Sequence, residues 1–251
     1  MSSANALADK TTLVVGASRG LGRGIATALA QAGAPVIAVA RTAARLNDLA
    51  VGAGNVQAET ADATDPSVPG RLLDRYEPQV VVLVAGASPT MLPLQQQTWE
   101  SFSVNWHTDV RIAFHWLREA LLRPLAPGSR AIVISSGAAL NGSPLSGGYA
   151  GAKATQRYIT AYAREEAERA SLDISFTAVL PQITPMTDLG RLAVQAYAAR
   201  RGQTEEEYMQ PMGEPLTPEI AGAAVLQLVR EDPSTVAPAY LLAGSGLREL
   251  P

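Results

Sequence analysis

The chain has no cysteine, which excludes disulfides and thiolate chemistry, and it has only two histidines, His107 and His115, eight residues apart. With so few ligands of that kind, metal catalysis has little to stand on, and no metal site is expected. Aromatic residues make up only 5% of the chain. The net charge is only -3 and no long basic run appears, so the electrostatic footprint of a nucleic-acid binder is missing. Apolar runs fall short of the length that spans a bilayer, and Met1 to Lys10 lacks a basic stretch followed by an apolar core. The expectation is a soluble, cytoplasmic protein whose partner is a small molecule, with no nucleic acid and no membrane involved.

What is present is a sequence of 251 residues, 47% hydrophobic, enough for a sizeable core. Short β-branched runs alternate with helix-period segments from end to end, which predicts βαβ units. Strands are expected at Thr11–Val15, Pro35–Ala40, Asn55–Thr60, Gln79–Ala85, Arg130–Ser135, Ile174–Leu180 and Ala239–Leu242. Gln79–Ala85 is apolar almost throughout, as in a central strand buried on both faces. Helices are expected at Gly20–Gly33, Thr42–Val51, Pro66–Tyr76, Trp99–Leu122, Tyr149–Ala170 and Pro218–Arg230. No linker or repeat interrupts the series. The pattern predicts one α/β domain over residues 1–251, a doubly wound, Rossmann-type αβα sandwich with a mainly parallel sheet of about seven strands.

Directly after the first strand comes Gly16-Ala17-Ser18-Arg19-Gly20-Leu21-Gly22, opening a helix. Glycines there allow a tight turn and let the backbone approach a pyrophosphate held at the helix N-terminus. An NAD-preferring site places an acid at the end of the second strand to take the ribose 2′-hydroxyl. Here no Asp or Glu occurs between Gly16 and Asp48, while Arg41 ends that strand and Arg19 lies in the turn. Two guanidinium groups suit a 2′-phosphate, so NADP(H) is the expected cofactor. The alternative for both arginines is an ordinary solvated surface.

Tyr149 and Lys153 stand four residues apart and share one helix face. A phenol is a poor acid–base group at neutral pH, but a cation roughly 4 Å away stabilises its phenolate by about 4 kcal/mol at an effective dielectric of 20. The spacing alone is common, and a half-buried tyrosine beside a solvated lysine would show it too. Its context decides. Ser136 lies thirteen residues upstream of Tyr149, just past a strand's C-terminal end, where it can donate a hydrogen bond to a substrate carbonyl oxygen.

Together these motifs resemble the short-chain dehydrogenase/reductase family, in its branch of single-domain enzymes of about this length, from Thr11 to about Leu242. The resemblance implies that Gly16, Ser18, Arg19, Gly20, Leu21 and Gly22 form the cofactor turn, that Asp62 and Ala63 flank the adenine, and that Ala85 and Gly86 pass beneath the cofactor. It also implies an Asn-Ser-Tyr-Lys set of Asn105, Ser136, Tyr149 and Lys153. In that set Tyr149 protonates the carbonyl oxygen, Lys153 stabilises the phenolate and binds the nicotinamide ribose, and Asn105 positions a water. The expected activity is NADP(H)-dependent interconversion of a carbonyl and a secondary alcohol. A catalytically idle NADP(H)-binding or sensing protein is the second reading. A homo-oligomer, tetramer or dimer, using the long helices is also implied.

Three departures stand out. Valine occupies position 84, where the family usually has asparagine, and a side-chain hydrogen bond in the sheet is expected to be lost. Pro181 is followed by Gln182 where the family has glycine, so Gln182 either hydrogen-bonds a ligand or points to solvent. The threonine that contacts the nicotinamide amide is Thr184 or Thr187, with Thr184 preferred for its place in Thr184-Pro185-Met186. About 35 residues separate the sixth strand from the last major helix, long for a compact domain, and 184–215 is expected to be a substrate lid with short helices at Arg191–Tyr197 and Thr204–Met209.

Overall fold

The structure, a computed structural model, describes residues 7–251. The first six residues of the Met1–Lys10 segment lie outside the described residues. Eight strands form one sheet in the order β3-β2-β1-β4-β5-β6-β7-β8. They are β1 (Thr12–Val15), β2 (Val36–Ala40), β3 (Val56–Thr60), β4 (Val80–Leu83), β5 (Ser129–Ile134), β6 (Ile174–Pro181), β7 (Ala239–Ala243) and β8 (Gly246–Leu250). The first seven are mutually parallel, and β8 returns antiparallel along β7. Order reverses between β1 and β4, which opens a crevice at the strands' carboxyl ends.

Helices cover both faces because the central strands are apolar on both. In β1, Val14 packs into one core with Ile25, Leu29, Val225 and Leu228, whereas Leu13 and Val15 pack into the other with Leu72, Trp116 and Phe176. The first core lies under α1 (Gly20–Gln31), α2 (Ala43–Ala53) and α10 (Pro218–Arg230). The second lies under α3 (Ser67–Tyr76), α5 (Arg111–Leu122) and α7 (Gly147–Arg169). Arg130, on β5 and 4% exposed, turns its guanidinium to the carbonyls of Leu228 and Glu231 at the C-terminal end of α10, satisfying groups the helix leaves unpaired.

The expected doubly wound fold is present, with four differences of detail. β8 is an eighth strand. Its sequence, Gly-Leu-Arg-Glu-Leu, is too polar for a two-faced core strand because it is a sheet edge, and a turn at Gly244 and Ser245, left through Gly246 at φ 103°, brings the chain back. The expected continuous helix Trp99–Leu122 is instead α4 (Trp99–Asn105), a π-helical turn (Trp106–Val110) and α5. Apolar spacing continues across that turn, so periodicity did not register it, although such turns collect at functional sites. Between β6 and α10 the chain forms α8 (Asp188–Arg201), longer than the Arg191–Tyr197 helix expected, and α9 (Glu205–Met209). Thr187 caps α8 through Gly190 N–H, and Thr204 with Glu207 forms a capping box on α9. A short α6 (Ala138–Asn141) follows β5 and had no counterpart in the sequence reading. Among the described residues, no helix is long and apolar enough to cross a membrane.

Candidate active site

A cleft of about 1660 Å³ opens along the carboxyl ends of β1, β2, β4, β5 and β6. Every candidate residue from the sequence lines it except Asn105, which is buried behind its wall.

The glycine turn forms the floor at one end. Gly16 has φ 97°, and a Cβ there would fall 2.5 Å from the Ala85 nitrogen, so neither the dihedral nor the space admits a side chain. Gly22 lies so close beneath that its Cβ would meet the Gly16 carbonyl at 2.1 Å. These approaches press the turn against the end of β4 and leave the first turn of α1, which holds no acidic residue, facing the cleft. A bare helix N-terminus of this kind suits a phosphate. Val84 can make no side-chain hydrogen bond and packs against the core instead. The end of β4 is held instead by the Val84 and Ala85 N–H groups donating to the Val15 carbonyl at 2.8 and 2.9 Å.

Arg41 is exposed at the end of β2, beside Asp62 at the end of β3. Hydrogen bonds from the Thr64 N–H and hydroxyl hold the Asp62 carboxyl below its ordinary range, and the Arg41 guanidinium lowers it further. Arg19 has a partner the sequence did not foretell: its guanidinium lies 3.1 Å from Asp188 at the start of α8, with both side chains more than half exposed. These arginines, the turn and the helix end fit an anionic dinucleotide.

Further along, Ser136 follows β5 with its Oγ accepting from Ala138 N–H at 3.2 Å, which leaves the hydroxyl proton available to a ligand. Ser135 donates to the Lys153 carbonyl at 2.7 Å and ties β5 to α7. Tyr149 and Lys153 stand one turn apart on α7, and the ammonium lies 5.6 Å from the phenol ring centroid. Lys153 is not solvated: it is 4% exposed and donates to Gln156 Oε1 at 2.9 Å and to the Ile134 carbonyl at 3.3 Å. Its nitrogen also lies 3.1 Å from Asp109 Oδ2, an ion pair with neither side chain in water. That contact is close in distance but misaligned for a hydrogen bond, so it acts through charge.

Asn105 donates to the Ala87 carbonyl at 2.7 Å and to Asp109 Oδ1 at 3.2 Å. Its own Oδ1 is buried without a protein partner, which suits a water. Asp109 and Gln156 were absent from the sequence-level candidates. The available signal was a carboxylate on the face of a helix that otherwise carries Ile112 and Trp116 inward.

At the outer end, Gln182 is exposed in the cleft wall, and its carbonyl accepts from Thr184 Oγ1 at 3.1 Å. Thr187 spends its hydroxyl on the Thr184 carbonyl and on capping α8. Tyr197 of α8 hydrogen-bonds Ser143 and stacks on Tyr208 of α9 at 6.0 Å, so the 184–215 segment is attached to the loop before α7. His107 is exposed and His115 half-buried.

Known proteins resemble this chain in sequence and in fold. A family model described as short chain dehydrogenase matches residues 10–197. A short-chain type dehydrogenase/reductase from Picea abies is 30% identical over 203 residues, 74% of this chain and 75% of its own. L-xylulose reductase from Mesocricetus auratus is 35% identical over 106 residues, covering 42% of this chain and 43% of its own length. The chain thus spans about half or less of the length of that relative and of its counterpart from Bos taurus, where the figure is 53%. An actinorhodin polyketide ketoreductase variant crystallised with NADPH aligns with a TM-score of 0.81 at 21% identity, covering 94% of this chain and 96% of that one. A likeness at that identity speaks for the fold, and the sequence matches speak for the family. The chain belongs to the short-chain dehydrogenase family.

Proposed function

We propose that this chain is an NADP(H)-dependent oxidoreductase that interconverts a carbonyl and a secondary alcohol. The observation that carries the reading is a single cleft lined at one end by the glycine turn and Arg41 and at the other by Ser136, Tyr149 and Lys153. When bound, NADP(H) supplies or accepts the hydride. Ser136 donates a hydrogen bond to the carbonyl oxygen and holds it beside Tyr149, whose phenol delivers the proton. Lys153 stabilises the phenolate left behind and binds the nicotinamide ribose. Asn105 holds the water that restores the proton. Arg41 and Arg19 take the 2′-phosphate, Asp62 and Ala63 border the adenine, and Pro181, Gln182 and Thr184 border the nicotinamide. Thr184 is preferred over Thr187 because its hydroxyl only donates, to the Gln182 carbonyl, and is still free to accept, whereas that of Thr187 both donates and accepts.

The segment 184–215 serves as the lid of one catalytic domain, and a homo-oligomer in the cytoplasm completes the reading. Relatives named L-xylulose reductase and hydroxynaphthalene reductase-like protein support a carbonyl substrate. NADPH consumption is measured with L-xylulose, an aromatic ketone and a β-keto thioester. Tyr149→Phe lowers turnover by about 100-fold or more and leaves NADPH affinity within about twofold of wild type. Undiminished turnover in that variant overturns the role of the phenol. The second reading, an idle NADP(H)-binding protein, draws on the capture of Lys153 by Asp109 and Gln156. It predicts tight NADPH binding with no turnover of any carbonyl.

A further inference from the structure

A fully buried carboxylate facing the lysine of a tyrosine–lysine pair has no part in the scheme above. Asp109 is 0% exposed and sits in the π-helical turn between α4 and α5. Its Oδ1 accepts from Ala87 N–H at 2.8 Å and from Asn105 Nδ2 at 3.2 Å, which fixes the carboxylate from two sides. Its Oδ2 has Lys153 Nζ at 3.1 Å. The backbone is shaped around this group: a Cβ on Gly86 would fall 2.5 Å from Oδ2. Gln156 closes the cluster, with its amide donating to the Asp109 backbone carbonyl at 2.9 Å while its Oε1 accepts a hydrogen bond from Lys153 Nζ at 2.9 Å.

We propose that Asp109 is a positioning residue for Tyr149: it anchors the Lys153 ammonium and cancels most of that charge, so that it sets the pH at which the phenol gives up its proton. The proposal rests on Tyr149 being the acid–base group. An isolated ammonium beside a phenol favours the phenolate strongly, whereas an ammonium already paired with a carboxylate favours it less. The cluster of phenol, ammonium and carboxylate is neutral overall. Losing the phenol proton makes it an anion inside a partly desolvated site.

From the elements packed around the cluster, the charged or titratable contributors are Tyr149 and Lys153 on α7 and Asp109 on the π turn. Asn105, Ser135, Ser136, Gln156 and the Ile134 carbonyl contribute neutral dipoles. Replacing Asp109 by asparagine keeps the shape and an acceptor for Ala87 N–H and removes the countercharge. Gln156 and the Ile134 carbonyl still hold the ammonium, so the first proton to leave comes from the phenol, and it leaves at lower pH.

The experiment reads Tyr149 directly, without need of a substrate. Near-ultraviolet phenolate absorbance is followed against pH for wild type and for Asp109→Asn. In each case the same titration of the matching Tyr149→Phe protein is subtracted. In Asp109→Asn the phenolate appears at lower pH than in wild type, and plateau turnover on a carbonyl of the panel falls about tenfold because Lys153 has lost an anchor. Gln156→Met loosens the lysine without altering charge, so it lowers turnover and leaves the phenolate titration in place. An unmoved titration in Asp109→Asn overturns the proposal, and so does an equal shift in Gln156→Met. If Asp109→Asn does not fold, Asp109→Ser, which leaves room for a water, carries the same expectation. Turnover persisting in Tyr149→Phe would remove the reading of Tyr149 as the acid, a result separate from a titration that fails to move.

Discussion

At the scale of single residues, the site depends on who partners whom. Arg41 faces the cleft from the end of β2 with its guanidinium exposed, and it depresses the neighbouring Asp62 carboxyl. Arg19 is already paired with Asp188. Arg41 is therefore expected to carry most of the discrimination for a 2′-phosphate. In Arg41→Asp, NADPH affinity falls by about 2 kcal/mol, roughly thirtyfold, whereas NADH affinity changes little, as fluorescence titration with each cofactor will show. Equal losses would remove the assignment. Residue types and spacings made the placement of Gly16, Ser136, Tyr149 and Lys153 in one cleft legible, because each lies at a strand end or on one helix face. Asp109 was legible only as a carboxylate on an otherwise apolar helix face, and Gln156 not at all. Their importance comes from meeting Lys153 across two helices, and no local pattern encodes that meeting.

At the scale of elements, the cleft depends on strands and helices being locked in register where their ends form its walls. Glu59, at the end of β3, illustrates the lock between β3 and α3. Its carboxylate accepts from Tyr76 at 2.7 Å and pairs with Arg71 and Arg75 at 3.3 and 3.2 Å. Burial pushes this carboxyl up, but the Tyr76 hydrogen bond and the two arginines outweigh that and hold it below its ordinary 4.5. A carboxyl lowered in the folded state stabilises the fold fully above its unfolded value and loses that contribution as pH falls through the folded value. Glu59→Gln is thus expected to cost about 1 kcal/mol near neutral pH, in urea unfolding, with the gap to wild type closing as pH drops below 4.5. A gap that stays constant with pH would show that charge is not the cause. Periodicity located most helices to within a few residues. It failed at Trp106–Val110, where the π turn rotates the helix so that Trp106 and Phe114 face water while Asp109, Ile112 and Trp116 turn inward, and it shortened α8, whose start is set by the Thr187 cap.

At the scale of the whole molecule, the outer faces of α4, α5 and α7 carry large side chains in water. Trp99 is 71% exposed, Phe114 50%, Leu122 61%, Tyr158 60% and Tyr162 58%. In a chain so poor in aromatics, those exposed side chains suit the contact surface that the proposed homo-oligomer needs. A second copy of the chain is the proposed occupant, in keeping with the homo-oligomer of the functional reading. Light scattering after size exclusion is expected to give a dimer or larger. Phe114→Lys combined with Tyr158→Lys shifts the mass toward the monomer and leaves NADPH binding intact. A wild-type monomer would refute the surface's role.

What the sequence alone determined is the order of strands and helices, the glycine turn and the Ser136, Tyr149 and Lys153 spacing. Each rests on interactions between residues near in the chain, and these write themselves as period, cap and turn. Tertiary structure decided the rest. The Arg19–Asp188 pair and the buried Asp109 against Lys153 each join segments distant in the chain. Burial makes the last of these consequential: with water excluded, a countercharge 3.1 Å from an ammonium is little screened, and folding alone brings the two together.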